Sequence, residues 1–187
     1  GMIRGTLFQM SRATHHSVLA VEYPGYGIHR GSATPDGCVA AALRAYEYVR
    51  ETAPDVPIVL MGRSIGSGVA AQLAKKVADG RDSTCAALVL ISPFSSIEKM
   101  AVPRVGASAA RMVAGGILDT RDALQHIHTP TLVLHGDEDD LIPVGHAHDL
   151  YAHSRARRKR LHILPGSDHN TLDWTAICAE TTRFLQG

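Results

Sequence analysis

Short apolar runs alternate with helix-spaced apolar residues along this chain, and that alternation narrows its fold more than any other feature. Val18-Leu19-Ala20-Val21 is the first run, closed by the turn-rich Tyr23-Pro24-Gly25-Tyr26-Gly27. A helix is predicted over about 36–52, with apolar residues at Val39, Ala42, Leu43, Tyr46 and Val49 and with Pro54 just past its end. Ile58-Val59-Leu60-Met61 reads as the next strand, and a small-residue helix follows over about 66–78. Further strands are predicted at 86–91, 131–134 and 161–164, and further helices near 145–153 and 171–185. Runs that are apolar at every position suit strands buried on both faces, as in a parallel sheet. Strand–helix alternation then implies an α/β fold: an open, mostly parallel sheet with helices on both faces.

Residues 93–129 break the rhythm. They are rich in Ala, Gly, Val and Met and read as a small cap-like insertion within a single domain spanning 1–187. Phe94, Ile97, Met100, Val102, Val105, Met112, Val113, Ile117 and Leu118 either pack this cap onto the core or line an apolar pocket. A chain of 187 residues buries roughly 70% of its unfolded surface, enough for one core without staples.

The strand at Ile58 runs directly into Gly62-Arg63-Ser64-Ile65-Gly66, which has the form Gly-x-Ser-x-Gly. A serine lifted clear of a sheet must sit on a tight strand-to-helix turn, where flanking side chains would clash and glycine removes them. The same turn aims the first amides of the next helix at the place where a reacting oxygen gains negative charge. By resemblance to hydrolases with this turn, the amide of the residue after the serine, here Ile65, is the candidate oxyanion donor. A phosphate-cradling role is excluded, because no Gly-Lys-Ser/Thr ending is present.

A serine hydroxyl needs a base, and the base needs an orienting acid; on such folds the chain order is Ser, acid, His. Leu132-Val133-Leu134-His135-Gly136 leads into Asp137, Glu138, Asp139 and Asp140, then Leu141-Ile142-Pro143. The similarity of this stretch to hydrolase loops of the form His-Gly-x-x-Asp-x-x-Ile/Val-Pro selects Asp139. The neighbouring acids are expected to serve as N-terminal charges of the following helix. Of the 11 histidines, His169 lies in the loop Pro165-Gly166-Ser167-Asp168-His169-Asn170 after the last strand, whereas its nearest rival, His162, lies within that strand. Ser64, Asp139 and His169 are therefore the candidate catalytic residues.

These stretches, with Val21-Glu22-Tyr23-Pro24-Gly25-Tyr26-Gly27 and Ser92-Pro93-Phe94, resemble the α/β-hydrolase superfamily. Within it they look like the branch of Bem46-like proteins and ABHD17-type depalmitoylases, often catalogued as S9-type serine peptidases. The resemblance implies hydrolysis of acyl esters or thioesters, including acylated proteins, with no metal or organic cofactor. It also implies that a strand ending in His-Gly, whose loop gives a second oxyanion amide, precedes the point where this chain begins. The chain is thus expected to lack the first strands of the fold. The 18–21 strand then either pairs directly with the Ile58 strand or leaves a gap beside it, which would favour a homodimer. Three functional readings stay open: an esterase or thioesterase, an S9-like serine peptidase, and a silent hydrolase core acting as an interaction module.

Composition sets the remaining bounds. Lys plus Arg number 19 and Asp plus Glu 18, which gives no global pull toward nucleic acid. Cys38, Cys85 and Cys178, odd in number and scattered, are no disulfide framework and point to a reducing, cytoplasmic compartment. No apolar run reaches the length of a bilayer span, and the opening Gly1-Met2-Ile3-Arg4 has no signal-peptide pattern. Arg155, Arg157, Arg158, Lys159 and Arg160 form a basic run that is either a solvated loop or a contact for an anionic membrane surface.

Overall fold

A computed structural model describes residues 2–80, 85–105 and 117–187. In chain order the elements are α1 (Met2–Thr14), α2 (Pro35–Thr52), β1 (Ile58–Arg63), α3 (Ile65–Asp79), β2 (Cys85–Ile91), α4 (Ile97–Val105), α5 (Thr120–His126), β3 (Thr131–Gly136), α6 (Gly145–His153), β4 (Lys159–Leu164) and α7 (Trp174–Gln186). The strands form one sheet in the order β1-β2-β3-β4, and every pairing is parallel.

Burial explains the order. All six residues of β3 are buried, as are the last five of β2, whereas β1 and β4 are only partly covered. The strands apolar at every position therefore take the centre, where both faces are covered and each Leu or Val contributes about 1.5–3 kcal/mol by its burial. On one face Leu60, Leu88 and Leu90 meet Val39 and Tyr46 of α2 and Val69, Leu73 and Val77 of α3. On the other, Val89, Leu132, Leu134 and Leu164 meet Met10 of α1 and Ile177 and Phe184 of α7. The sheet is thus clad by helices on both faces, as the sequence implies.

Residues 18–21 depart from expectation. They form no strand, and Val18 and Leu19 are exposed. A strand is stable only when its amides and carbonyls find a ladder partner, and among the described residues β1 pairs with β2 alone. Among the described residues no strand covers the other edge of β1, so neither the expected 18–21 strand nor its pairing with β1 is found. The helix α1 had no counterpart in the sequence reading; it packs on α7, where Thr182 Oγ1 donates to Ala13 O at 3.1 Å. The last helix starts at Trp174 rather than Thr171, because Asp173 caps it by accepting from Thr175 N and Ala176 N.

Part of the cap-like region, 106–116, lies outside the described residues, as do the side chains of Val102 and Val105. Phe94 and Leu118 are buried in the core, with Ile97, Met100 and Ile117 packed against it. Phe94 and Leu118 press on α3 at Gly68, where an added Cβ would come within 2.9 and 3.0 Å of them.

One glycine holds the strand-to-helix turn closed. A Cβ on Gly62 would lie 2.1 Å from Gly66 O. Gly62→Ala is expected to destabilise the fold by about 2–3 kcal/mol, or roughly 4–12 °C in melting temperature for a domain of this size. Gly145→Ala is the control, since nothing lies within 4 Å of its added methyl. It should be neutral or slightly stabilising. Thermal unfolding followed by circular dichroism decides, and equal stability of Gly62→Ala and the parent chain would contradict the account.

Candidate active site

The carboxyl ends of β1, β3 and β4 bring three side chains together. Ser64 follows β1 and stands before the first residue of α3, with φ 53° and ψ −124°. That left-handed backbone is unfavourable for serine and is held by its surroundings. Ser64 N donates to Ile91 O at 3.0 Å, tying the turn to β2. Ser64 O accepts from Ser67 N at 2.9 Å and from the buried Ser67 Oγ at 2.6 Å. Ile65, 43% exposed, opens α3. Its amide belongs to the first turn, whose N–H groups have no intrahelical acceptors.

Asp139 stands in the loop after β3. Its carboxylate is fully buried; Oδ1 accepts from Ile142 N at 2.7 Å and Oδ2 from His169 Nδ1 at 2.8 Å. The competing acids part from it here. Asp137, Glu138 and Asp140 are exposed, and Asp137 Oδ1 accepts from Gly166 N at 2.7 Å. None of them serves α6 as expected, for α6 starts at Gly145 with no acid in its first turn. The acids belong to the loop instead.

His169 sits in the turn after β4. Asp168 Oδ1 accepts from Asn170 N and from Thr171 N, closing that turn around the histidine. These two amide bonds, that of Asn170 foremost, hold the Asp168 carboxyl below its ordinary range. The neighbouring loops are laced together as well. A Cβ on Gly136 would lie 2.1 Å from Ser167 O, and that same oxygen accepts from Glu138 N at 3.1 Å.

The imidazole of His169 bridges the other two groups. Nδ1 faces Asp139 Oδ2 at 2.8 Å, and Nε2 faces Ser64 Oγ at 3.0 Å. A carboxylate only accepts, so Nδ1 carries the proton and the Nε2 lone pair is left for the serine hydroxyl. His162, the rival histidine, lies in β4 with its Nδ1 3.8 Å from Glu180 Oε1. Among the described residues no cluster of His, Cys, Asp and Glu could hold a metal ion.

Some contributors escaped the sequence reading. Arg63, an unspecified position of the Gly-x-Ser-x-Gly motif, donates to His169 O across the site. His135, fully buried, contacts Ile142 O at 2.7 Å. Its place in the His-Gly motif was the one signal His135 carried. Tyr23, from the loop before α2, brings its hydroxyl within 3.6 Å of where a Gly66 Cβ would stand. Burial, and secondarily Cys38, raises its pKa to about 12, so the phenol keeps its proton.

Comparison with known proteins bears on the fold and the family. A family described as "Serine aminopeptidase, S33" matches residues 104–173. Human "Protein ABHD12B" is 29% identical over 174 residues, covering 83% of this chain and 48% of its own length. The Danio rerio "Lysophosphatidylserine lipase ABHD12" is 28% identical over 161 residues, covering 79% of this chain and 42% of its own length. The chain therefore spans less than half the length of either relative. The crystal structure of a Paleococcus ferrophilus monoacylglycerol lipase superposes with a TM-score of 0.71, covering 99% of this chain and 88% of that one at 16% identity, a likeness of fold. The family described as "alpha/beta hydrolase fold" matches residues 4–120, more than half of the chain, and it is to this α/β-hydrolase family that the chain belongs.

Proposed function

We propose that the protein is a serine hydrolase of acyl esters and thioesters, with Ser64 as nucleophile, His169 as base and Asp139 as orienting acid. The observation that carries this is the single imidazole standing 2.8 Å from a buried carboxylate and 3.0 Å from a serine hydroxyl. Ser64 Oγ attacks the acyl carbon while its proton passes to His169 Nε2. Asp139 holds the imidazolium through Nδ1–H. The carbonyl oxygen gains its negative charge in front of the Ile65 amide. Collapse of the tetrahedral adduct expels the alkoxide or thiolate, which takes the proton from Nε2. Water then attacks the acyl-enzyme with His169 again as base, releasing the acid and restoring Ser64.

The substrate class is drawn from relatives. One bears the name of a lysophosphatidylserine lipase, and one structural neighbour is a monoacylglycerol lipase. Both names concern esters with one acyl chain, so such an ester is the favoured substrate. Thioester cleavage on acylated proteins, as in the Bem46-like and ABHD17-type branch, is the variant suggested by the motifs. A peptidase is the second reading, favoured by the serine aminopeptidase family matching 104–173.

We place the enzyme in the cytoplasm on its cysteine pattern; no helix among the described residues is long and apolar enough to cross a membrane. The basic run offers a modest membrane contact. Arg158 stacks on the Phe184 ring, Lys159 donates to Tyr151 O and Ser154 O, and Arg160 lies 3.8 Å from Glu180. Arg155 and Arg157 are exposed and would add about 1 kcal/mol each at an anionic surface.

A fluorophosphonate probe should label the chain at Ser64, and Ser64→Ala should abolish the labelling. Asp139→Asn should lower kcat by about 10⁴-fold, because the amide no longer holds the imidazole in the right tautomer. No labelling of the parent chain, or equal labelling of Ser64→Ala, would end the proposal. For the substrate class, kcat/KM on aryl esters and thioesters of rising acyl length is compared with that on peptide amides. Esters are expected to react faster, and faster amide cleavage would transfer the case to the peptidase.

A further inference from the structure

We propose that His135 is a positioning residue of this site: its Nε2–H holds the Ile142 carbonyl and thereby fixes the loop that aims the Asp139 carboxylate at His169. The inference rests on reading Ser64, His169 and Asp139 as the catalytic residues.

The geometry forms a relay. His135, the fifth residue of β3, is fully buried, and its Nε2 lies 2.7 Å from Ile142 O. A carbonyl only accepts, so Nε2 must carry the proton. Ile142 N in turn donates to Asp139 Oδ1 at 2.7 Å, leaving Oδ2 for His169 Nδ1 at 2.8 Å. One residue, Ile142, is thus gripped at its carbonyl by His135 while its amide grips the acid. The His135 Nε2 is also 3.5 Å from Asp139 Oδ2, so the same N–H dipole favours the carboxylate where it stands.

A histidine is a costly choice at this position. The other β3 side chains that fill the core are aliphatic, and His135 Nδ1 is buried with no hydrogen-bond partner. Burial pushes the ring below the ordinary histidine value, outweighing the opposite pull of Ile142 O and Asp139. The ring is therefore neutral, with one donor and one idle lone pair. An aliphatic residue would fill the same volume without an idle polar atom. What it could not supply is the single N–H directed at the acid loop. Proline at 143 fixes the backbone just beyond Ile142, so the loop has few other ways to set that carbonyl.

The test compares His135→Leu with His135→Gln in the full chain. Leucine fills the volume without a donor; glutamine carries an N–H at nearly the reach of Nε2. One readout is the far-downfield proton resonance of the His169 Nδ1–H···Asp139 bond. It needs no substrate, so it decides the role of His135 even if Ser64 proves unreactive. The resonance should persist in His135→Gln and vanish or broaden in His135→Leu. The second readout is ester turnover. His135→Leu should lose roughly 10²-fold in kcat with KM nearly unchanged, the size of effect a slight misplacement of a reacting group produces, and His135→Gln should recover most of it. Melting temperatures of both variants are measured alongside. A resonance and kcat untouched in His135→Leu would overturn the proposal. So would equal losses in both variants, or a loss of kcat that merely follows melting temperature.

Discussion

The backbone of Gly62 passes so close to Gly66 that a methyl group between them would sit 2.1 Å from a carbonyl oxygen. That approach lets β1 turn straight into α3 without a connecting loop. Ser64 is caught in the turn at a positive φ, with its amide bound to β2 and its carbonyl bound to the buried Ser67. The rest of the arrangement follows from this placement. A Ser64 hydroxyl fixed by the backbone of two strands cannot move to meet the His169 imidazole, so the imidazole must be carried to it. The loop after β4 does that, closed by Asp168 and tied to the Ser64 turn by Arg63.

Much of the fold was legible because burial writes itself into composition. The strands β2 and β3, apolar at every position, are the two central strands, with their inner residues fully covered. The failures share one cause. The run at 18–21 has the same local character as a strand, but strand formation depends on a neighbour that composition cannot name. Among the described residues β1 offers an edge and nothing in 18–21 takes it. Helix α1 was missed for a related reason: it presents Met10 to the core and leaves Phe8 exposed, too weak a stripe to read before its partner α7 is seen.

The candidate site was legible to the level of chain order and no further. Asp139 could be chosen among four adjacent acids only by resemblance, since spacing alone treats Asp137, Glu138 and Asp140 alike. The structure separates them by burial and by which backbone amides they receive. Arg63 was illegible because its guanidinium acts on a distant main-chain group, His169 O, and Ile142 because it acts through its own amide and carbonyl, on Asp139 and His135, rather than through its side chain. Contacts of main-chain groups leave no periodicity in the sequence.

The contact of Gly136 with Ser167 has a consequence for how a chain of this kind can vary over time. The Asp139 loop and the His169 loop touch backbone to backbone, and Glu138 N, Asp137 N and Gly166 N stitch them together. Neither loop can lengthen or shorten without displacing the other, so tolerated changes in one require matching changes in the other. The stretch leaving the sheet at Ser95 and returning at Arg121 is freer of this constraint. Arg121 N donates to Ser95 O at 3.1 Å, so its two ends are pinned to each other and apart from the laced loops. A change of length is therefore costly in pairs where the two loops are laced, whereas the Ser95–Arg121 bond joins two ends of one stretch.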